Sequence, residues 1–284
     1  MRLFLIGHSV VDQIIHKDGT RQNEIKPGGL WHSVNGILPL LGEEDQIFPV
    51  TMVSDETMQV YGRNYQSVSQ EYFTWREKVP KVTLTLLNDK ERLEDYSNLQ
   101  ESLSIDSIPF ETADGILLNM ITGFDISRQD LALLRSKTSC LIYMDIHSLA
   151  RGVADGYSRP LRKIDHAEEW LALADVIQCN EAESGMLFDE ADEQKLASRV
   201  LSCGPEVLII TKGSTGARAY FKHRSETASV FISAEQVAVF TEVGCGDVFG
   251  SAFFFHFAKT GNVTRSLKNA VKHSGEFVKT GFGL

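Results

Sequence analysis

Short apolar runs of strand length alternate with amphipathic stretches along most of this chain, and that alternation limits the available folds more than any other feature. Strands are expected at residues 3–6, 47–53, 115–119, 140–145, 176–179 and 207–211. Between them, stretches such as 127–136 and 191–202 repeat apolar residues at helical spacing. Strands that alternate with helices form βαβ units, because a parallel pair needs a crossover connection. The expected fold is therefore α/β, with a mostly parallel, doubly wound central sheet and helices on both faces. The unbroken run Val207-Leu208-Ile209-Ile210 suits a central strand covered on both sides. At 284 residues the chain is long enough for one large domain, or for a domain with a smaller appendage.

Three segments break the rhythm. Residues 14–29 carry Lys17-Asp18-Gly19 between extended stretches, which reads as a small hairpin. Residues 79–88 contain Val82-Thr83-Leu84-Thr85-Leu86, a period-2 alternation, followed by the turn-like Asn88-Asp89-Lys90 and then Glu91-Arg92-Leu93. Residues 217–221, 228–232 and 236–240 read as an antiparallel meander. The first two segments fit a small β lid over the carboxyl edge of the sheet, where ligands of open α/β folds bind, and they equally fit surface excursions. On the lid reading, residues 1–284 form a single domain with the lid inserted at about 13–27 and 77–96.

Composition narrows the partners. A formal charge of −10 and the lack of a Lys/Arg block argue against nucleic acid. Cys140, Cys179, Cys203 and Cys245 have no C-x-x-C spacing, so neither a zinc site nor a disulfide framework is indicated. No apolar run approaches the ~20 residues of a membrane span. The opening Met1-Arg2 leads straight into a strand-like run too short for a secretory signal, so the expected location is cytoplasmic.

Four clusters carry chemistry. Gly244-Cys245-Gly246-Asp247 precedes the apolar run 248–258, which reads as a buried helix. A glycine turn feeding a helix N-terminus offers amides and partial positive charge to phosphate, and Asp247 at its mouth can take a proton from an attacking hydroxyl. A helix merely capped by Asp gives the same four residues. Thr211-Lys212-Gly213-Ser214-Thr215-Gly216 follows a strand and reads as a phosphate-approaching loop or as a plain turn. Asn180-Glu181-Ala182-Glu183 opens a helix, where Asn180 and Glu183 suit either water-mediated Mg²⁺ binding or a capping box. Asp12 and the pair Gly28-Gly29 suit a polyhydroxylated ligand, and Asp12 equally suits an exposed turn.

Taken together and in this order, these motifs resemble the ribokinase-type (PfkB) carbohydrate kinase family. The resemblance runs from Gly7-His8-Ser9-Val10-Val11-Asp12, through Gly28-Gly29 and Leu41-Gly42, to Gly281. It implies a ribokinase-like, Rossmann-like core with a small β-sheet lid. It also implies use of ATP and Mg²⁺ to phosphorylate a hydroxymethyl group of a sugar or nucleoside. Asp247 is then the general base, and the amides of Gly244, Cys245 and Gly246 form the anion hole. Asn180 and Glu183 serve Mg²⁺ and phosphate, and Thr211, Gly213 and Gly216 the nucleotide, with Asn269 near the adenine. Asp12, Gly28 and Gly29 are substrate ligands, and Ser33 falls where the family's substrate-contacting Asn stands. Members pair their lids, so a homodimer through the lid is implied.

The departures are as informative. The family's Asp-x-Asn-x-Arg signature is replaced by Asp145-Ile146-His147-Ser148-Leu149, with Arg151 displaced. Thr241-Glu242 replaces the usual Asp-Thr, which counts against the monovalent-cation site of some relatives. The leading expectation is a sugar kinase. The alternatives are a nucleoside kinase and a catalytically weak sugar-binding regulator, which the changes at Ser33 and His147 keep open.

Overall fold

The computed structural model describes residues 1–15, 25–86, 92–99, 102–154, 158–224 and 226–282. Its strands are β1 (Arg2–Ile6), β2 (Ser9–Ile15), β3 (Lys26–Gly29), β4 (Gln46–Val53), β5 (Phe73–Trp75), β6 (Lys81–Leu86), β7 (Arg92–Ser97), β8 (Gly115–Asn119), β9 (Leu141–Asp145), β10 (Val176–Asn180), β11 (Val207–Thr211), β12 (Gly216–His223) and β13 (Glu226–Ser233). Nine of them form one sheet in the order β13-β12-β11-β10-β9-β8-β1-β4-β5. Every pairing from β11 to β5 is parallel, and only the edge pairings β11–β12 and β12–β13 are antiparallel. The mostly parallel sheet is the one that the alternation of elements predicts.

Both faces of this sheet are covered, and the pleat sorts the strand residues between them. Phe4, Ile6, Ile116, Leu118, Ile142, Met144, Leu208 and Ile210 face one core. The helices α3 (Arg128–Lys137), α4 (Ala167–Leu171), α5 (Glu181–Leu187) and α6 (Glu193–Ser202) close it with Leu131, Leu171, Leu187 and Val200. Leu3, Leu5, Leu117, Tyr143, Val207 and Ile209 face the other. That second core is closed by α1 (Leu30–Ile37), α2 (Asp55–Gln66), α7 (Cys245–Thr260) and α8 (Val263–Thr280). Buried on nearly all sides, α7 places Phe249, Phe253, Phe254 and Phe257 in this core. No described helix is long and apolar enough to cross a membrane.

The remaining strands form a separate four-stranded sheet, β3-β2-β6-β7. β2 and β6 are parallel, and the outer pairs are antiparallel. This small sheet begins at Ser9, four residues before the expected boundary, because β2 leaves β1 after only Gly7 and His8. The expected turns at Lys17-Asp18-Gly19 and Asn88-Asp89-Lys90 lie outside the described residues.

Two local expectations are corrected. From its sequence the stretch after Gly28-Gly29 reads as one helix running through Val34 to Leu41, but α1 stops at Ile37 and gives way to a 3₁₀ turn at Leu38–Leu40. Pro39 explains this, since it lacks the N–H that a continued helix needs there. The third strand of the meander does not form either, because residues 236–240 carry no strand among the described residues. The Phe240 N–H, instead of pairing with β13, donates to Val278 O of α8 at 2.9 Å.

Candidate active site

The parallel strands deliver their C-terminal residues to one edge of the sheet, the edge where open α/β folds bind ligands. Asn119 ends β8, Asp145 ends β9, Asn180 ends β10 and Thr211 ends β11. The glycine loop at the start of α7 comes to the same edge. Gly244 caps that helix with φ 83°, ψ 0°, in the left-handed region that only glycine enters easily. A Cβ on Gly244 would lie 2.2 Å from Cγ and Nδ1 of the buried His32 ring, so close approach demands glycine there too.

Asp247 stands in the first turn of α7. Its Oδ1 accepts a hydrogen bond from Asn119 Nδ2 at 2.7 Å, and the same Nδ2 donates to Ser33 Oγ at 3.0 Å. Asn119 and Ser33 are both buried, so this amide holds one oxygen of Asp247 in place from beneath. Of the three amides expected in the anion hole, the Cys245 N–H is engaged with Glu242 O at 3.2 Å. The first-turn N–H of Gly246 has no intrahelical acceptor. Burial pushes the Cys245 thiol up to about 11, with Asp247 and Glu242 adding to the shift, so it stays protonated at neutral pH.

Asn180 and Glu183 form the capping box that was one of their two expected roles. The Glu183 N–H donates to Asn180 Oδ1 and the Asn180 N–H to Glu183 Oε2, both at 2.9 Å. The other Glu183 oxygen meets His147 Nδ1 at 2.8 Å. Burial works against a cation at His147, but the Glu183 carboxylate outweighs it and pushes the imidazole up to about 9. Burial would likewise raise Glu183, and His147 holds it below the ordinary carboxylate range. Asp145 accepts from the His147 N–H at 3.1 Å and from Gln178 Nε2. Burial first, then the neighbouring Glu183 and Asp247 carboxylates, push Asp145 up to about 8. Gln178 Nε2 also donates to Gly246 O at 3.1 Å, which joins this cluster to the glycine loop.

With both Glu183 oxygens already hydrogen-bonded, direct coordination of a metal by this carboxylate would compete with the His147 contact at Oε1 or with the cap at Oε2. No group of three or more His, Cys, Asp or Glu side chains among the described residues could hold a metal. The donor set fits a hydrated Mg²⁺ held through its waters, the state this ion prefers, and does not fit a protein cage.

Thr211, Gly213 and Gly216 share one loop, in which 213–215 make a single 3₁₀ turn. Gly213 and Gly216 have φ 54° and 127°, and a Cβ on Gly216 would lie 2.1 Å from Ile232 O. Lys212 is held by Glu181 at 3.0 Å and Glu193 at 2.5 Å, which raise it despite burial. Thr211 Oγ1 donates to Cys179 O at 3.4 Å. Asn269 lies half-buried on α8, which packs against β12 and β13.

On the other side, the Asp12 carboxylate on β2, whose register partner is Lys26, leans diagonally over Gly28 of β3. A Cβ on Gly28 would lie 2.3 Å from Asp12 Oδ2. Gly29, with φ 61°, caps α1, and a Cβ there would meet His8 O at 2.4 Å. Ser33 lies within the protein bonded to Asn119, so its hydroxyl supports the Asp247 neighbourhood from inside. Asn119 and Gln178 escaped the sequence reading. Their one signal was a polar residue inside or ending an otherwise apolar strand run.

The pattern of matches with known proteins follows the fold. The model of the pfkB family carbohydrate kinases matches residues 135–280. A fructokinase of Rhizobium leguminosarum bv. trifolii is 32% identical over 78 residues, which cover 28% of this chain and 23% of the fructokinase. A pyrophosphate-dependent kinase of the ribokinase family, solved as a sulfate complex, superposes with TM-score 0.80 at 16% identity, over 98% of this chain and 95% of its own. The ribokinase of Arabidopsis thaliana, complexed with ribose and ATP, gives TM-score 0.74 at 16% identity, over 97% and 92%. The structural likenesses reach across the whole chain and speak for the fold, while the family model covers just over half of the sequence. The chain belongs to the pfkB family of carbohydrate kinases.

Proposed function

We propose that this protein is an ATP-dependent carbohydrate kinase that transfers the γ-phosphoryl group to a hydroxymethyl of a sugar. The observation that carries the reading is Asp247, in the first turn of α7 behind a left-handed glycine, with Oδ1 fixed by Asn119 at 2.7 Å. A carboxylate held by one oxygen presents the other to the acceptor hydroxyl. The hydroxyl oxygen then attacks the γ-phosphorus as its proton passes to Asp247, the bond to the bridging oxygen breaks, and that electron pair leaves on ADP. Phosphoryl transfer of this kind needs positioning and charge stabilisation more than covalent help. The helix N-terminus and the Gly244 and Gly246 amides supply the latter, each donor worth about 3 kcal/mol in comparable anion holes.

Asp12, Gly28 and Gly29 bind the acceptor in this reading, and Thr211, Gly213, Gly216 and Asn269 the nucleotide. Mg²⁺, held through water by Asn180 and Glu183, would screen the phosphate charges. The small sheet is the lid of a single ribokinase-like unit, closing the acceptor side against water. The four-residue edge strand β3 suits pairing of two lids into a homodimer, which light scattering tests. The protein acts in the cytoplasm in this reading, where ATP is supplied.

The test is product release across a panel of sugars and nucleosides, with ATP in one arm and pyrophosphate in the other. The second donor is included because the relative with TM-score 0.80 is pyrophosphate-dependent. Loss of a positioned base costs ~10²–10⁴ in rate. Asp247→Asn should lose turnover on that scale and bind donor within a few-fold of wild type. Near-wild-type turnover in that variant overturns the base assignment. Saturable sugar binding without turnover by either donor would favour the regulator.

A further inference from the structure

The junction of the small sheet with the main sheet holds two arginines around one carboxylate. Glu94 and Tyr96, two apart on β7, are both buried, and Tyr96 Oη donates to Ile121 O at 2.9 Å. Arg151, beyond the 3₁₀ turn that follows β9, pairs with Glu94 at 3.5 Å and donates to Arg159 O at 3.1 Å. Arg159 is only 4% exposed. Its guanidinium carbon lies 4.9 Å from the Tyr96 ring centre and 5.9 Å from that of Phe124. Nη2 makes two long bonds, 3.4 Å each, to Ser148 O and Arg151 O. Nε and Nη1 have no hydrogen-bond partner among the described residues. The nearby Asp125 is taken up by His8, Thr122 and Gly123.

A guanidinium stays charged at any physiological pH, so burial with unmet N–H groups is a cost that no described residue offsets fully. The ring contacts offset part of it. An anion at Nε and Nη1 would supply the rest.

The place matters as much as the charge. Tyr96 joins Val10, Val82, Leu84 and Ile121 in an apolar cluster between the two sheets, and Val243, next to the glycine loop, packs against it. Ile121 Cγ2 lies 3.0 Å from where a Gly29 Cβ would stand, and the Ile121 N–H donates to Asn119 O at 2.9 Å. Arg159 thus sits one side chain, Tyr96, away from a wall shared by Gly29 and the holder of Asp247.

We propose that the acceptor carries an anionic group, carboxylate or phosphate, besides the hydroxyl that is phosphorylated, and that Arg159 binds it. This rests on the reading of the site as a sugar kinase. It makes Arg159 the residue that sets acceptor class. A charge-assisted bond of this kind should separate anionic from neutral acceptors by about ten- to a hundredfold.

The experiment measures kcat and KM for fructose, fructose 6-phosphate and gluconate, each with a free hydroxymethyl, in wild type, Arg159→Gln and Arg159→Lys. Calorimetric binding of the same three sugars to Asp247→Asn runs beside it. Wild type should favour one of the anionic sugars at least tenfold, chiefly in KM, and the one favoured identifies carboxylate or phosphate. Arg159→Gln should erase that ratio, and Arg159→Lys, which keeps charge without the fork, should retain part of it. Equal use of neutral and anionic sugars by wild type, or an equal loss for all three in both variants, overturns the proposal. If no sugar is turned over, the kinase reading fails by itself. The calorimetric preference for anionic over neutral sugars then still decides the role of Arg159.

Discussion

Replacing Gly244 by alanine attacks the glycine loop in two ways whose sizes can be worked separately. At φ 83° a residue with a Cβ costs about 1–2 kcal/mol more than glycine. The new methyl also lands 2.2 Å from the His32 ring, which is 3% exposed and packed edge-on against Trp31 and Phe277 with centroids at 5.4 and 6.1 Å. Such a ring has little room to yield, and overpacking of this kind costs about 1–3 kcal/mol. The sum is about 2–5 kcal/mol, or a fall in Tm of roughly 3–9 °C for a chain of this size. Gly246 is the matched control. It is helical, and a Cβ there would meet nothing within 4 Å, so Gly246→Ala should leave Tm unchanged or slightly raised. Scanning calorimetry of both variants, with His32→Ala and the double variant His32→Ala/Gly244→Ala, separates the two costs. The double variant should recover the steric part and leave the backbone part. Turnover of Gly244→Ala should drop at least tenfold, because the loop must move from its place before α7. Equal Tm changes at the two glycines, or no recovery in the double variant, would refute the close-approach argument.

Asn119→Ala removes the donor shared by Asp247 and Ser33 and should lower kcat about ten- to a hundredfold, with KM for the sugar within a few-fold, in steady-state assays. Tyr96→Phe deletes the bond to Ile121 O, anchoring the small sheet to the main one, and should cost about 1–2 kcal/mol in urea unfolding. Asp45 gives a pH test away from the site. Burial would raise it, but Lys259 at 2.7 Å, the Gly42 N–H and the N-terminal ammonium bring it from 3.8 down to about 2. A carboxylate lowered by folding stabilises the protein above its unfolded value, and that share is lost as pH falls through the folded one. Tm of wild type should therefore fall more steeply between pH 4 and 2 than that of Asp45→Asn.

The sheet was legible because its physics is local. A strand buried on both faces must be apolar throughout, so β8 and β11 announce themselves. What escaped depended on chain geometry or on distant partners. Ser9-Val10-Val11-Asp12 begins the small sheet, yet two polar residues straight after β1 look like a loop end until β3 and β6 are seen to flank them. Residues 236–240 alternate like a strand, but the nearest acceptor for Phe240 is on α8. At the site, Gly28, Gly29, Gly216 and Gly244 stand where close approach tolerates no other residue, whereas a Cβ on Gly213 or Gly246 would meet open space. Asn119 was not legible, since its meaning lies in Asp247, 128 positions away. Arg159 was illegible for the same reason, standing as an ordinary loop arginine until β7 is folded over it.

This division also says why the reading of the base does not depend on the reading of the donor. Asp247 is held by β8 and α1, through Asn119 and Ser33, and neither element touches the loop at 211–216 with a hydrogen bond. The loop at 211–216 is built on β11, β12 and the Lys212–Glu193 pair, and Arg159 on the segment against β7. A run of hydrogen bonds, His147–Asp145–Gln178–Gly246, reaches the glycine loop from the β9–β10 side and ends on the Gly246 carbonyl, so it takes up none of the loop's N–H groups. In such an arrangement the donor and acceptor sites can diverge among relatives while the base and its holder stay. On the proposed reading, the identity of the phosphoryl donor is therefore a question about the loop at 211–216 and α8, that of the acceptor about Arg159 and the small sheet, and Asp247 serves either answer.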